Sequence, residues 1–279
     1  MSARTRTAAI LLSAATLLVG CAGDSSVERG LDRAHAGIRQ SLDGSRVEER
    51  TYEAPVDGIV DVQVDTFAGD VVIRGARDTG GIARLTATVV GRQGRDRDEE
   101  AQASLEQVGL QVEMRRGGDV PTLVVKGTPR AEEPWANRTD LEIEVPELRR
   151  VRVRTREGKV FVFENRGGAD VQTTDGEIRV LTPWAIGEDV TLVTKGRDIV
   201  FRAFNGTCGR FDVDCVNGEV KARVESGDWR ILDPRNDKDT LIATLGTCNS
   251  RILMRNVDAK VIIAICANPM DHGTFFPSP

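Results

Sequence analysis

The sequence is short of several things on which enzymes and large β domains depend. Among its 279 residues are one tyrosine, three tryptophans and eight phenylalanines, too few for the aromatic core typical of many sandwich domains. Only two histidines occur, His35 and His272. Neither has the triad, zincin or G-x-S-x-G context that catalysis requires, so no enzyme and no catalytic residue is expected. The cysteines show no C-x-x-C spacing and no nearby histidine, so no metal site and no cofactor is expected either. There is no excess of positive charge: 38 Lys and Arg stand against 43 Asp and Glu, a formal net charge of −5, which argues against nucleic acid as a partner. Beyond the first twenty residues no apolar run reaches membrane-spanning length, and Val261-Ile262-Ile263-Ala264-Ile265 suits one buried strand.

What the chain does have begins at its first residues. Arg4 and Arg6 form a basic start, Ala8 to Val19 is apolar and uncharged, and Leu18-Val19-Gly20-Cys21 is followed by the polar Ala22-Gly23-Asp24-Ser25-Ser26. Residues 1–20 therefore read as a signal peptide. The tetrapeptide resembles the lipobox of bacterial lipoproteins, which implies cleavage before Cys21 and acylation of its thiol. Acyl chains hold a protein on a bilayer by about 0.8 kcal/mol per buried methylene. The resemblance implies a membrane partner through this anchor and a place in the cell envelope. Ala22, where an Asp would be an inner-membrane mark, is similar to outer-membrane-destined lipoproteins. Residues 21–51, polar and rich in Gly and Ser, read as the lipidated N-terminus and a tether with an r.m.s. reach of roughly 30 Å. A β domain is expected over 52–268 and a flexible tail over 269–279.

From Tyr52 the texture is that of strands. Val60, Val62 and Val64 alternate with Asp61, Gln63 and Asp65, a period of two. Between Gly94 and Val108 the spacing of Ala101, Leu105 and Val108 instead predicts one short amphipathic helix. The second half repeats a β run, a glycine and another β run: Thr155-Arg156-Glu157-Gly158-Lys159-Val160, Thr174-Asp175-Gly176-Glu177-Ile178, Thr194-Lys195-Gly196-Arg197-Asp198-Ile199 and Val216-Asn217-Gly218-Glu219-Val220. Thr66-Phe67-Ala68-Gly69-Asp70-Val71 has the same form, and Thr244-Leu245-Gly246-Thr247-Cys248 is a looser copy. The four central glycines lie about 18 to 22 residues apart. Such a period built of short strands predicts an all-β, single-chain β-solenoid (parallel β-helix-like), whose coils bury a shared aliphatic column and bend at glycines able to reach positive φ. A hairpin array is the rival, with Asn217-Gly218 and Asp175-Gly176 as type I′ turns.

The run from Thr66 to Gly75, Leu141-Glu142-Ile143-Glu144-Val145-Pro146 and the T-x-x-G-x-V/I copies together resemble the bacterial putative-adhesin β-solenoid family, catalogued mainly as a domain of unknown function. The resemblance covers about Val56 to Ala267. It implies a strand-rich solenoid outside the cytoplasm and carries no catalytic residues, because fold alone does not assign chemistry. The function expected is non-enzymatic binding of an envelope polymer or envelope protein. A structural or signalling scaffold is the alternative, and a polysaccharide-acting β-helix enzyme a more distant one. Three or more outward carboxylates beside an Arg or Lys in one groove would favour the enzyme.

Three clusters are candidate sites. Arg150, Arg152, Arg154 and Arg156 alternate along one strand, a clamp for anionic groups, unless Glu142 and Glu144 lie on a neighbouring strand and neutralise them. Asp212, Asp214, Glu219, Glu225, Asp233, Asp237 and Asp239 are acidic but match no calcium loop, and a solvated face is the plainer reading. Cys208, Cys215, Cys248 and Cys266 allow two disulfides in an exported protein, in any of three pairings, or buried free thiols.

Overall fold

The computed structural model describes residues 45–76, 79–92, 98–129, 137–233 and 238–271. The signal segment, Cys21, most of the tether, both histidines and the end of the tail lie outside these. In chain order come β1 (Ser45–Pro55), β2 (Ile59–Asp65), β3 (Val71–Gly75), β4 (Ile82–Arg92), helix α1 (Asp98–Glu106), β5 (Val108–Arg115), β6 (Thr122–Pro129) and β7 (Asn137–Val145). Next are β8 (Glu147–Arg154), β9 (Val160–Phe163), β10 (Ala169–Gln172), β11 (Ile178–Thr182), β12 (Val190–Val193), β13 (Ile199–Phe204), β14 (Gly209–Val216) and β15 (Glu219–Val224). Last are β16 (Trp229–Ile231), β17 (Thr240–Leu245), β18 (Arg251–Val257) and β19 (Lys260–Cys266). The described residues are thus all-β with one helix, and strand structure starts at Ser45, ahead of the expected Tyr52.

These strands make two large open sheets. One has nine strands in the order β1-β4-β7-β3-β9-β11-β13-β19-β15, the other ten in the order β16-β17-β14-β18-β12-β10-β8-β2-β6-β5. From β8 to β15 the chain changes sheet at every corner. Each strand pairs in parallel with a strand that is not its neighbour in the chain: β8 with β10, β10 with β12, β9 with β11 and β11 with β13. Asp175-Gly176 and Asn217-Gly218 therefore join strands of different sheets, and neither dipeptide closes a hairpin. Antiparallel pairing is confined to the two ends of the sheets, in β1–β4–β7, β5–β6 and β14–β17–β16.

The alternation read from the sequence sets the core. Inward residues stand in register across the ladders: Val125, Val64, Val153, Val171, Leu192, Met254 and Val213 in the ten-strand sheet, and Ile143, Ile73, Val162, Val180, Phe201 and Ile263 in the nine-strand sheet. All are at most 1 % exposed, and residues of both sheets belong to one apolar cluster. Each such aliphatic contributes about 1.5–3 kcal/mol relative to exposure. The helix forms where predicted, though shorter. It packs Leu105 with Val89 and Val108 so closely that a Cβ on Gly91 would lie 2.6 Å from the Ala101 carbonyl oxygen.

The corners pile up as well, for two different reasons. Gly69 and Gly158 have φ of +126° and +115°, which a side chain would strain. Gly176 takes no positive φ, and its need is clearance: a Cβ there would sit 1.8 Å from the Gly158 carbonyl oxygen. Backbone bonds link successive corners, Gly69 N to Glu157 O at 3.1 Å, Gly158 N to Asp175 O at 3.0 Å and Gly196 N to Val257 O at 2.8 Å. The order of corners departs from the order of the sequence. The β18–β19 segment inserts between β12–β13 and β14–β15, so Asp258, with φ +61°, supplies the corner between Gly196 and Gly218. The looser Gly246 copy is no part of this pile, since β17 runs antiparallel to β14.

Candidate functional site: a charged groove on the ten-strand sheet

The arginine row lies on β8, in the middle of the ten-strand sheet. Its neighbours are β2 and β10, whereas Glu142 and Glu144 sit on β7 in the other sheet. The expected neutralisation by those two glutamates is therefore incorrect. Chain neighbours β7 and β8 are separated by the corner at Pro146, which sends them to different sheets.

Other acids meet the arginines. The register of β8 against β2 slips between Val60 and Val62, a bulge that puts two residues, Arg149 and Arg150, opposite Asp61. Arg149 grips Asp61 with both ends of its fork, Nε to Oδ1 at 2.9 Å and Nη2 to Oδ2 at 2.8 Å. This pairing, first through the hydrogen bond, raises the Arg149 pKa and fixes its charge. The Arg150 backbone N–H donates to Asp61 at 3.2 Å and its side chain pairs with Glu188. Arg154 bonds Asp170 and the carbonyls of Val153 and Asp170. Arg152 is the least committed: its side chain is 59 % exposed and its Nε stands 3.9 Å from the Asp170 oxygen that Arg154 already holds. Arg156 lies beyond the end of β8, its guanidinium over the Phe67 ring at 5.6 Å, so the row contains three arginines on the strand and a fourth at its corner.

Between β2, β8 and β10 a groove of about 610 Å³ opens to solvent. Asp61, Gln63, Arg150, Arg152, Asp170 and Glu188 stand around it. Its floor is low because Gly168 has no side chain, and a Cβ there would come within 2.6 Å of the Asp189 carbonyl oxygen. Glu188 also accepts the Gly168 N–H at 3.2 Å. Three carboxylates, Asp61, Asp170 and Glu188, thus meet four guanidiniums, while Asp189 accepts the Arg251 backbone N–H at 2.8 Å, leaving planar donors and acceptors along an open surface. Sequence reading missed Glu188 and Asp189, which come from an irregular turn before β12. It also missed Asp61, whose outward position the alternation of β2 did show.

The other candidates separate. A second groove of about 570 Å³ follows the piled glycine corners, where Asp70 is used up by Arg138 at 2.8 Å and by the Lys159 N–H at 2.9 Å. The acidic cluster of the C-terminal half is divided between the sheets. Asp212 on β14 takes Arg251 and Arg255, while Glu219 on β15 takes Lys221. Among the described residues no three His, Cys, Asp or Glu side chains converge as a metal site. Of the four cysteines, Cys208 and Cys248 form a disulfide with Cα atoms 5.7 Å apart. Cys215 and Cys266 are buried thiols in different sheets, so one bridge exists rather than two. Burial raises the pKa of both thiols, which keeps them protonated and inert.

The chain shares its fold with a solved bacterial protein. This is a putative cell adhesion protein from Clostridium sporogenes ATCC 15579, at a TM-score of 0.52 and 9 % identity, covering 79 % of this chain and 100 % of the other. A putative adhesin from Bacteroides fragilis NCTC 9343 aligns at a TM-score of 0.33 and 10 % identity, over 77 % of this chain and 97 % of its own. A putative lipid binding protein from Parabacteroides distasonis ATCC 8503 aligns at 0.24 and 9 %, over 79 % and 94 %. No family model and no curated protein matches the chain. At such identities the Clostridium likeness is one of architecture, and the alignment says nothing of the groove.

Proposed function

We propose that this chain is a non-enzymatic binding module of the bacterial cell envelope, lipid-anchored at Cys21, whose β-solenoid domain receives a polar envelope polymer along the groove of β2, β8 and β10. The alternation of strands between two sheets, with corners piled from Gly69 to Gly196, supports the solenoid. The basic start, apolar run and Leu18-Val19-Gly20-Cys21 support the anchor, and Ala22 supports the outer membrane over the inner. The likeness in fold to a cell adhesion protein supports binding over catalysis. The observation that carries the ligand is the charge balance of the groove. Arg150 and Arg152 line it with Asp61, Asp170, Glu188 and Asp189, and Arg149 and Arg154, paired to Asp61 and Asp170 from outside the lining, bring the signs level, so hydroxyl-rich neutral polymers, which exchange hydrogen bonds with both kinds of group, suit it better than polyanions.

A glycan array probed with the compact unit Leu42–Pro279 tests this. Retention of a neutral glycan, weakened about tenfold or more by Arg152→Ala with Gln63→Ala, is expected. No retention by the parent unit, or retention indifferent to both changes, overturns it. For the anchor, Cys21→Ala in the full chain should abolish acyl labelling and release the protein from membranes.

One observation favours a polysaccharide-acting enzyme instead: more than three carboxylates do stand beside arginines in one groove. Each is engaged by a guanidinium or a backbone N–H, and general acid–base work needs a carboxyl able to exchange its proton with substrate. Shortening of a retained glycan on prolonged incubation would decide for the enzyme.

A further inference from the structure

The outward side of the nine-strand sheet is chemically different from the groove. Strands β3, β9, β11, β13 and β19 contain no aspartate or glutamate at any position. Residues in register on neighbouring strands lie about 4.8 Å apart, so outward side chains form rows across the sheet. One row reads Val72, Phe161, Arg179, Val200, Ile262, and all five are partly exposed. Beside it, Arg74 stands in register with Phe163. The Arg74 guanidinium lies over the Phe163 ring at 4.8 Å and that of Arg179 over the Phe161 ring at 5.2 Å, while the two rings meet edge to face at 6.4 Å. Each cation therefore lies against aromatic surface, and all four side chains are partly exposed. Acid lies on the bordering strands and at one strand end: Glu142 and Glu144 on β7, in register with Val72 and Arg74, Glu219 on β15, which pairs with Lys221, and Glu177, which pairs with Arg179 from just before β11.

We propose that this face docks on an anionic bilayer surface, with Arg74 and Arg179 against lipid phosphates and the Val72–Ile262 row against the upper acyl boundary. Charge complementarity selects this occupant. Cations over an apolar sheet face match an anionic interface of the same layering. The charge-balanced groove on the opposite sheet has no such layering. The whole chain, at −5, would be repelled by that interface except where a cationic face turns to it. The inference goes beyond the polymer-binding role and uses none of its residues.

The test is co-sedimentation of the unit Leu42–Pro279 with vesicles of phosphatidylglycerol and phosphatidylcholine in equal parts, and with phosphatidylcholine alone. Binding to the mixed vesicles, reversed by salt, is expected. Arg74→Glu with Arg179→Glu should lower the partition coefficient about tenfold or more. Phe161→Ala, with both arginines kept, should lower it by a smaller factor and leave the salt dependence in place. Arg115→Glu with Arg210→Glu changes net charge equally on the other sheet, outside the groove, and should leave binding near the parent value. Matching circular dichroism spectra and melting curves establish that every variant is folded. Absence of binding by the parent unit, an Arg74/Arg179 variant that binds normally, or equal losses in the two double variants would each overturn the proposal. Glycan retention, measured on the same proteins, reports on the groove separately, and its loss or survival leaves the vesicle result standing.

Discussion

On the outside of the ten-strand sheet Asp212 receives both Arg251 and Arg255, and Asp61 holds Arg149 in a fork. In the nine-strand sheet the outward positions of five successive strands hold Val72, Phe161, Arg179, Val200 and Ile262. On the inside the two sheets are alike, each a register of Val, Ile, Leu and Phe excluded from water. Stacked parallel strands constrain only the inward half of the sequence, because period-two alternation gives every second side chain to solvent. The outward sides of the central strands have diverged: β2, β8 and β10 present interlocked acids and arginines, whereas β3, β9, β11, β13 and β19 contain no acid at all. That divergence, unlike the core, needs an explanation outside folding.

The sharpest way to break this comparison is to attack the shared interior from each side. Phe201 on β13 and Phe211 on β14 belong to different sheets and are both fully buried. Phe201→Ala and Phe211→Ala should each destabilise by about 3–5 kcal/mol in urea titrations. Both should leave one cooperative transition, since the sheets contribute to one cluster. Separate melting of one sheet would show that the interiors are not equivalent.

The next effect tests the corners that join the sheets. Gly176→Ala forces a Cβ to 1.8 Å from the Gly158 carbonyl oxygen and should cost about 3 kcal/mol. Gly117→Ala, with nothing within 4 Å of the new atom, should be within about 0.5 kcal/mol of the parent. Equal effects would mean that the corners are not in close contact.

These corners also mark how far the sequence could be read. Strand identity, the inward Val and Ile positions and the corners at Gly158, Gly176, Gly196 and Gly218 follow from local alternation and spacing, whereas the corner at Asp258 has no such glycine. The neighbours of each strand do not follow in this way. The β18–β19 segment enters the pile ahead of β14–β15, and nothing local distinguishes Gly246, which ends an antiparallel strand, from Gly218, which turns a corner. Glu142 and Glu144 do not neutralise the arginines for the same reason: adjacency in sequence becomes separation in space when the chain changes sheet at Pro146. The groove was half legible. Arg150 and Arg152 were visible as an alternating row, whereas Glu188 reaches them from a turn 38 residues away in sequence. Cysteine count likewise allowed three two-bridge pairings or free thiols, and the structure has a single bridge, Cys208–Cys248, with Cys215 and Cys266 as thiols.

A third, smaller effect should appear in the ten-strand sheet. Burial pushes the Asp212 carboxyl up, but hydrogen bonds from Arg255 and Arg251 together with their charge outweigh it, and its pKa lies below the ordinary value. A carboxyl depressed in the folded state contributes stability above its unfolded pKa and loses it as pH falls through the folded one. Asp212→Asn should therefore cost about 1–2 kcal/mol at neutral pH, and the gap from the parent should close below about pH 4. Thermal melts across that range check it, and a gap that persisted in acid would assign Asp212 a packing role instead.

The smallest expected effect on stability is the one that tells most about function. Arg152 sits in the middle of the ten-strand sheet with a side chain 59 % exposed and a single loose contact, 3.9 Å, to an Asp170 oxygen that Arg154 already occupies. An exposed pair of that length contributes within about 0.5 kcal/mol, so Arg152→Ala should leave the urea midpoint in place. Arg149→Ala, by contrast, strips Asp61 of a two-point partner at side-chain exposures of 30 % and 19 % and should cost about 1 kcal/mol or more. A guanidinium held at the centre of a groove without stabilising it has a ligand as its natural counterpart. Should Arg152→Ala prove as destabilising as Arg149→Ala, the two arginines would be equivalent structural pairs and the groove would lose its one uncommitted cation.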